Sequence, residues 1–334
     1  MKYVGLDVHK ETVHGTVMDE RGRVLKRGGF FNTREGFERF FRGIADAEVV
    51  MEAGYGWQPP YELLEGMGYR AKLAHPYETR IISKSKVKTD VADSEKLAQL
   101  LRTGFLPEAY APPKCVRELR DLLYRRTYLV RTQTKFKNKV RAELAKRWIR
   151  PERKELFTGP GKSYLRSLHI DAVEDYLAAL EALEERIKGL SKRIMHQSGE
   201  NADAKLLMTI PGVGYFSAMA IIAEIGDINR FGSSEELCSY AGIVPSTRES
   251  GGVVRHGRIT KQGRKLMRWV LEQCIWIHLK YDTRLTKYWR RLARTKGKKS
   301  AATAAARKLL KVMYWMLKRR EEYRPEGVRL GKYR

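Results

Sequence analysis

The chain has 334 residues, 43% of them hydrophobic, which is enough to bury cores for two ordinary domains and excludes global disorder. Its 66 Lys and Arg against 39 Asp and Glu leave a formal charge of +27, spread along the whole length, so nucleic acid is the expected partner and a membrane surface is not. No apolar run is long enough to span a bilayer, the first residues read as a strand rather than a signal peptide, and Cys115, Cys238 and Cys274 form no C-x-x-C pair, so a cytoplasmic protein without a zinc site or disulfide framework is expected.

Residues 3–9 alternate cleanly, with Val4, Leu6 and Val8 on one side and Gly5, Asp7 and His9 on the other, which predicts a half-buried strand. Strands follow at 12–19 and 24–30 around a glycine turn, then a helix capped by Thr33 and running to Ile44. A strand at 48–53, a helix at 57–66, a strand at 69–74 and a helix at 90–102 complete this part. Three early strands and then alternating helix and strand make residues 1–110 an α/β domain of ribonuclease H-like type.

Residues 111–200 read as a helical connector. Val173, Tyr176, Leu180, Leu183, Ile187, Leu190 and Ile194 recur at the spacing of a coiled-coil seam, a pattern that packs a hairpin and can also join subunits. Leu119, Leu122, Leu129, Phe136 and Val140 mark an earlier helix, interrupted by Arg126 and Gln133. Pro151 and a turn at Gly159-Pro160-Gly161 lie between the two, which predicts an antiparallel helical hairpin. Residues 201–320 change to short helices joined by glycine turns, a mainly α domain, and 321–334 form a basic tail. Over 284–334, 18 Lys and Arg outnumber 3 Asp and Glu, so this end is expected to be partly disordered until nucleic acid binds.

Asp7 lies inside an apolar strand, Glu52 ends another, and Asp90 and Asp93 share one face at a helix start. Four such carboxylates at the ends of neighbouring elements can hold two Mg²⁺ ions and so activate a nucleophile on a phosphodiester. The plain alternative is that Asp90 and Asp93 only cap their helix. Ile210-Pro211-Gly212-Val213-Gly214 has the form of a helix-hairpin-helix turn, in which Gly212 and Gly214 let the backbone approach a DNA phosphate. Ser250, beside Gly251 and Gly252, is read as an exposed loop serine, with Arg248, Arg255, Arg258 and Lys261 nearby to meet phosphate. Gly161-Lys162-Ser163 ends like a phosphate-binding loop, but the motif needs glycine where Leu156 stands, so no ATPase is expected.

Taken in order, five segments resemble the DEDD-type transposases of bacterial and archaeal insertion sequences, a family described as bridge-RNA-guided recombinases. They are Gly5-Leu6-Asp7-Val8-His9-Lys10, Met51-Glu52-Ala53, Lys88-Thr89-Asp90-Val91-Ala92-Asp93, Ile210-Pro211-Gly212-Val213-Gly214, and Ser250-Gly251-Gly252 with Gly257-Arg258-Ile259-Thr260-Lys261. The resemblance covers nearly the whole chain. It implies a RuvC-like N-terminal domain, a coiled-coil connector and a C-terminal transposase domain. It implies metal carboxylates at Asp7, Glu52, Asp90 and Asp93, and a serine nucleophile linked covalently to DNA at Ser250. Many relatives carry two adjacent serines where this chain has Glu249-Ser250, and Ser246 is the other candidate. A structured noncoding guide RNA pairing with donor and target DNA is also implied. So is a homo-oligomer, from dimer to tetramer, in which carboxylates of one subunit serve the serine of another. Two other functions fit the residues: a RuvC-type junction-resolving endonuclease that uses water, and a nucleic-acid-binding protein without catalysis.

Overall fold

Alternation along the first strand decides where the first unit puts its core. Val4 and Leu6 are fully buried on one side, and Gly5 and Asp7 point to the other. The computed structural model describes residues 1–82, 89–151, 155–250 and 253–325, and the chain divides into two units, Met1–Pro112 and Pro113–Arg334.

The first unit is a mixed α/β layer structure. Strands β1 (Lys2–Val8), β2 (Thr12–Met18) and β3 (Val24–Phe31) form an antiparallel meander. Helix α1 (Arg34–Phe41) leads to β4 (Ala47–Glu52), which lies parallel to β1, and α2 (Gln58–Gly66) leads to β5 (Arg70–Ala74), parallel to β4. Then come α3 (Pro76–Ile82), α4 (Asp90–Arg102) and the short β6 (Glu108–Ala109), giving the sheet order β3-β2-β1-β4-β5-β6. Three strands followed by alternating helix and strand agree with the expected α/β class. Helix α1 is shorter than expected, ending at Phe41 rather than Ile44. One face of the sheet carries a core of Val4, Leu6, Val49, Met51, Phe37 and Phe41. On the other face, Val50 and Ala74 pack with Leu97 and Leu101 of α4.

The second unit is mainly helical. Helices α5 (Lys114–Lys146) and α7 (Asp171–Glu200) pack side by side with the short α6 (Gly159–Ser167) between them in sequence. Gly159-Pro160-Gly161, expected as a turn, opens α6 instead, with proline in the first helical positions where a missing N–H costs nothing. The two long helices run antiparallel, since Phe136 meets Tyr176, Gln133 Nε2 donates to Glu184 Oε1 at 3.3 Å, and Arg126 Nε donates to Ser191 Oγ at 3.1 Å. The two polar residues that interrupt the apolar pattern of α5 are thus paired across the hairpin.

Beyond them lie α8 (Ala202–Met208), α9 (Tyr215–Ile225), a 3₁₀ turn at Ile228–Arg230 and α10 (Ser234–Ala241). A two-stranded sheet follows, β7 (Pro245–Ser250) with β8 (Val253–Ile259), and then α11 (Lys265–His278), α12 (Arg284–Lys296) and α13 (Lys298–Arg319). The expectation of partial disorder from residue 284 onward is corrected: α12 and α13 occupy 284–319, and residues 326–334 lie outside the described residues. Between the charges of this end runs an apolar stripe at helical spacing. Ala302, Ala305, Ala306, Leu309, Leu310, Met313 and Leu317 are at most 3% exposed and form part of the unit's main core. Among the described residues, no helix is long and apolar enough to cross a membrane.

Candidate functional site

A missing side chain sets the carboxylate edge. A Cβ on Gly5 would lie 2.1 Å from the Ser94 carbonyl oxygen and 2.4 Å from the Ala98 nitrogen, so α4 rests on the bare backbone of β1. Ser94 also fastens α4 to β2, its hydroxyl lying 2.9 Å from Thr16 Oγ1 and 2.9 Å from His14 Nδ1. Moving up β1 from Gly5 to Asp7, and back along α4 from Ser94 to Asp90, leads to one corner. Glu52 ends β4 one residue past the Leu6↔Met51 pair of the parallel ladder, and by alternation it shares the α4 face with Val50. Asp90 and Asp93 stand in the first turn of α4. That turn is capped by Thr89, whose hydroxyl accepts the Ala92 N–H at 3.2 Å, and the two aspartates beside it also answer the helix dipole.

The charges in this corner converge. His9 Nε2 lies 3.3 Å from Asp7 Oδ2 and 3.5 Å from Asp90 Oδ1, and ligand atoms of Asp7, His9 and Asp90 all fall within 4.8 Å of one another. Asp93 Oδ1 meets Lys96 Nζ at 3.0 Å. Burial pushes the Asp7 carboxyl above its usual range; the neighbouring charges of Asp90 and Asp93 push the same way, and His9 opposes them. Carboxylates gathered around one half-buried member are the donor set of a hard divalent cation, so the residues present fit a metal. Glu52 and Asp93 fall outside the close trio. His9, which the chemistry of the carboxylates alone does not point to, joins the corner because it follows Asp7 by two residues on one pleat face.

In the second unit Ser250 does not lie in a loop. It ends β7, paired with Val253 of β8, and Gly251 and Gly252 between them lie outside the described residues, as do the side chains of Arg248 and Ser250. Arg248 stands opposite Arg255 in the backbone register of the ribbon. Arg255, Arg258 and Lys261 are exposed. Ser246 is half-buried at the other end of β7, where its hydroxyl sits 2.5 Å from the point a Cβ on Gly257 would occupy.

The root of this ribbon is fastened twice. The Thr260 and Lys261 N–H groups donate to the Val244 and Gly242 carbonyls at 2.9 and 3.1 Å. Arg264, just before α11, donates to the carboxylate of Glu224 on α9, which is 1% exposed. Tyr124 of α5 donates to the same carboxylate, and Arg120 donates to the Ala223 and Glu224 carbonyls at 2.7 and 3.1 Å. Burial, and then the charge of Glu224, push the Tyr124 phenol up to about 12.

The expected hairpin turn lies between α8 and α9, and its two glycines differ. Gly212 has a φ of +92°, and a Cβ there would come within 2.8 Å of the Cys274 carbonyl and the His278 nitrogen, so its bareness serves packing against α11. Buried His278 holds the same turn through Nδ1, 2.7 Å from the Pro211 carbonyl. Gly214 is exposed, with nothing within 4 Å of its Cβ position, and it precedes the first turn of α9 with no side-chain cap.

Known families match both units. A DEDD transposase model of the IS110 type matches residues 4–148, spanning all four carboxylates, and a model described as transposase, IS116/IS110/IS902 family, matches residues 204–290, spanning the turn at Gly212 and the β7–β8 ribbon. The transposase for insertion sequence element IS1111A of Coxiella burnetii is 26% identical over 353 residues, covering 97% of this chain and 92% of its own length. The transposase for insertion sequence element IS1328 of Yersinia enterocolitica is 25% identical, covering 83% of each chain. The chain therefore belongs to the IS116/IS110/IS902 family of transposases, enzymes that cut and rejoin DNA.

Proposed function

We propose that the chain is an RNA-guided recombinase that excises and inserts an insertion sequence, cutting DNA with a RuvC-like DEDD site and carrying the cut end on Ser250. One observation carries the first half: Asp7, His9 and Asp90 bring their ligand atoms within 4.8 Å at the corner where β1, β4 and the start of α4 meet. Asp7, Glu52, Asp90 and Asp93 would hold two Mg²⁺ ions, which would draw charge from the phosphodiester and favour an ionised nucleophile. Ser250 gives up its hydroxyl proton and attacks phosphorus through Oγ. The bond to one strand oxygen breaks, and that oxygen leaves as a hydroxyl after taking up a proton. The seryl phosphodiester keeps the energy of the broken bond, so the reverse attack by a strand hydroxyl rejoins DNA without ATP. Arg248, Arg255, Arg258 and Lys261 on and beside the ribbon neutralise phosphate there, as do the N–H groups after Gly214 at the start of α9. Gly212 supports that turn from behind. A guide RNA fits the charge of +27, and a dimer or tetramer joined through the α5–α7 coiled coil would let carboxylates of one subunit serve the serine of another.

The experiment pairs two variants in a cleavage assay with Mg²⁺. Asp7→Ala is expected to abolish cutting with DNA affinity nearly unchanged, since affinity comes mainly from Lys and Arg. Ser250→Ala is expected to stop recombination and to remove a covalent adduct that mass spectrometry finds on Ser250 in the wild type. An adduct on Ser246 would move the nucleophile. Cutting by Ser250→Ala with no adduct in the wild type would leave a nuclease that uses water.

A further inference from the structure

We propose that Tyr55 is a positioning residue that stacks on a nucleobase of the bound strand and holds that nucleotide beside the phosphate offered to Asp7 and Asp90. The inference rests on the carboxylate corner being where DNA is cut. Tyr55 is 98% exposed, the most exposed large aromatic among the described residues. It makes no hydrogen bond or ring contact with any described residue, an unusual state for a side chain that normally buries most of its ring.

Its place in the chain is set on both sides. Glu52 ends β4, and the Ala53 N–H extends the ladder by donating to the Ala74 carbonyl at 3.0 Å. The Gly54 N–H then donates to the Glu52 carbonyl at 2.7 Å, a three-residue turn that reverses the chain at once. After Tyr55, Gly56 has a φ of +79°, and Trp57 turns inward to meet Tyr61 edge-on at 5.4 Å. One aromatic is tucked under α2, and the other is held out between two glycines. Three residues span at most about 10 Å, so the Tyr55 backbone stays within about three base rises of Glu52.

A lone ring without apolar neighbours is poorly suited to a protein interface, which buries a cluster. It suits a base, whose flat face any aromatic can meet without regard to sequence. In a chain of charge +27 whose family acts on DNA, phosphates are met by Lys and Arg, and a ring beside the carboxylates has the base as its natural partner. Unstacking one nucleotide also kinks the strand at that step and opens the phosphate next to it.

The test uses the full chain on junction DNA on which the wild-type protein's cut has been mapped, in the mixture that supports that cut. 5-Iododeoxyuridine is placed singly next to the cut phosphate or five positions away, the complex is irradiated, and the cross-linked peptide is identified. Tyr55 is expected to carry the adduct only for the near position. In cleavage, Tyr55→Phe is expected to match the wild type, and Tyr55→Ala is expected to fall about tenfold or more. The change in 2-aminopurine fluorescence that binding produces at the near position should be lost in Tyr55→Ala and persist in Tyr55→Phe. Wild-type cutting by Tyr55→Ala, or equal losses in both variants, overturns stacking. A change of sedimenting mass in Tyr55→Ala without an adduct on Tyr55 also overturns it, and assigns the loop to a contact between copies. Asp7→Ala is run beside them. If it still cuts, the carboxylate reading fails, and the adduct on Tyr55 decides stacking by itself.

Discussion

The two candidate sites are anchored in opposite ways. The carboxylate corner is built on a sheet and held by steric fit, with α4 lying directly on the backbone of β1 at Gly5. The serine ribbon has only two strands, and such a pair is marginal alone in water, so its order depends on its root. That root is electrostatic: Arg264 against Glu224, with Tyr124 and Arg120 around them. A site made by close packing tolerates loss of charge and suffers from added volume. A site made by a buried ion pair does the reverse.

The largest expected effect breaks the second anchor. Arg264→Met leaves the carboxylate of Glu224 buried without its cation, and the second unit should lose about 3–5 kcal/mol in denaturant unfolding. Adding Glu224→Leu removes the stranded charge and should return much of that loss. If Arg264→Met unfolds like the wild type, the root is not held by this pair.

The next effect breaks the first anchor. Gly5→Ala places a Cβ against the backbone of α4, which must move outward and carry Asp90 and Asp93 away from Asp7. A displacement of about 1 Å should lower cleavage on the order of 100-fold, with stability falling by about 1–3 kcal/mol. Gly28→Ala on β3, where nothing lies within 4 Å of the Cβ position, is the matched control and should change neither. Equal cleavage by both variants would show that α4 does not need the bare backbone.

These anchors also explain what could be read from the residues. The first corner was legible because each part has a local signature. Alternation over residues 3–9 puts Asp7 opposite the core, Thr89 caps α4, and a spacing of three puts Asp90 and Asp93 on one face. The ribbon has a local signature too, although its charges give it the composition of a loop. Gly251-Gly252 is the composition of a two-residue hairpin connection, with Thr247 on one side and Val253, Val254 and Ile259 on the other, but the charges between them break the apolar alternation. The root was not legible at all. Glu224 sits in the apolar run Ala220-Ile221-Ile222-Ala223-Glu224-Ile225, and its partner Arg264 is 40 residues on, so only tertiary packing brings them together. The same limit applies to Gly212, whose need for a bare Cα comes from α11 rather than from its own turn.

The smallest effect sharpens the contrast by asking what charge does to the packed corner. Asp7 is raised above its ordinary value of 3.8, first by burial and then by Asp90 and Asp93. For an acid, a raised value in the folded state means that the neutral form is favoured there. This contribution is full below the ordinary value and is lost as pH rises through the raised one, so at neutral pH the ionised Asp7 works against folding when no cation is bound. Asp7→Asn should therefore make the metal-free first unit more stable than the wild type at neutral pH, and the difference should shrink as the solution is acidified toward pH 3.8. Divalent cation reverses the order. A ligand bound only to the folded state at ten times its Kd adds about 1.4 kcal/mol, so Mg²⁺ should raise the melting temperature of the wild type and leave that of Asp7→Asn unchanged. Calorimetry at neutral pH with Mg²⁺ or EDTA reads both signs in one series. Equal stabilisation of the two proteins by Mg²⁺ would place the cation elsewhere. Asp7→Asn melting below the wild type without metal would mean that the ionised carboxylate is already well matched by His9, and that the corner is closed by the imidazole rather than poised for a cation.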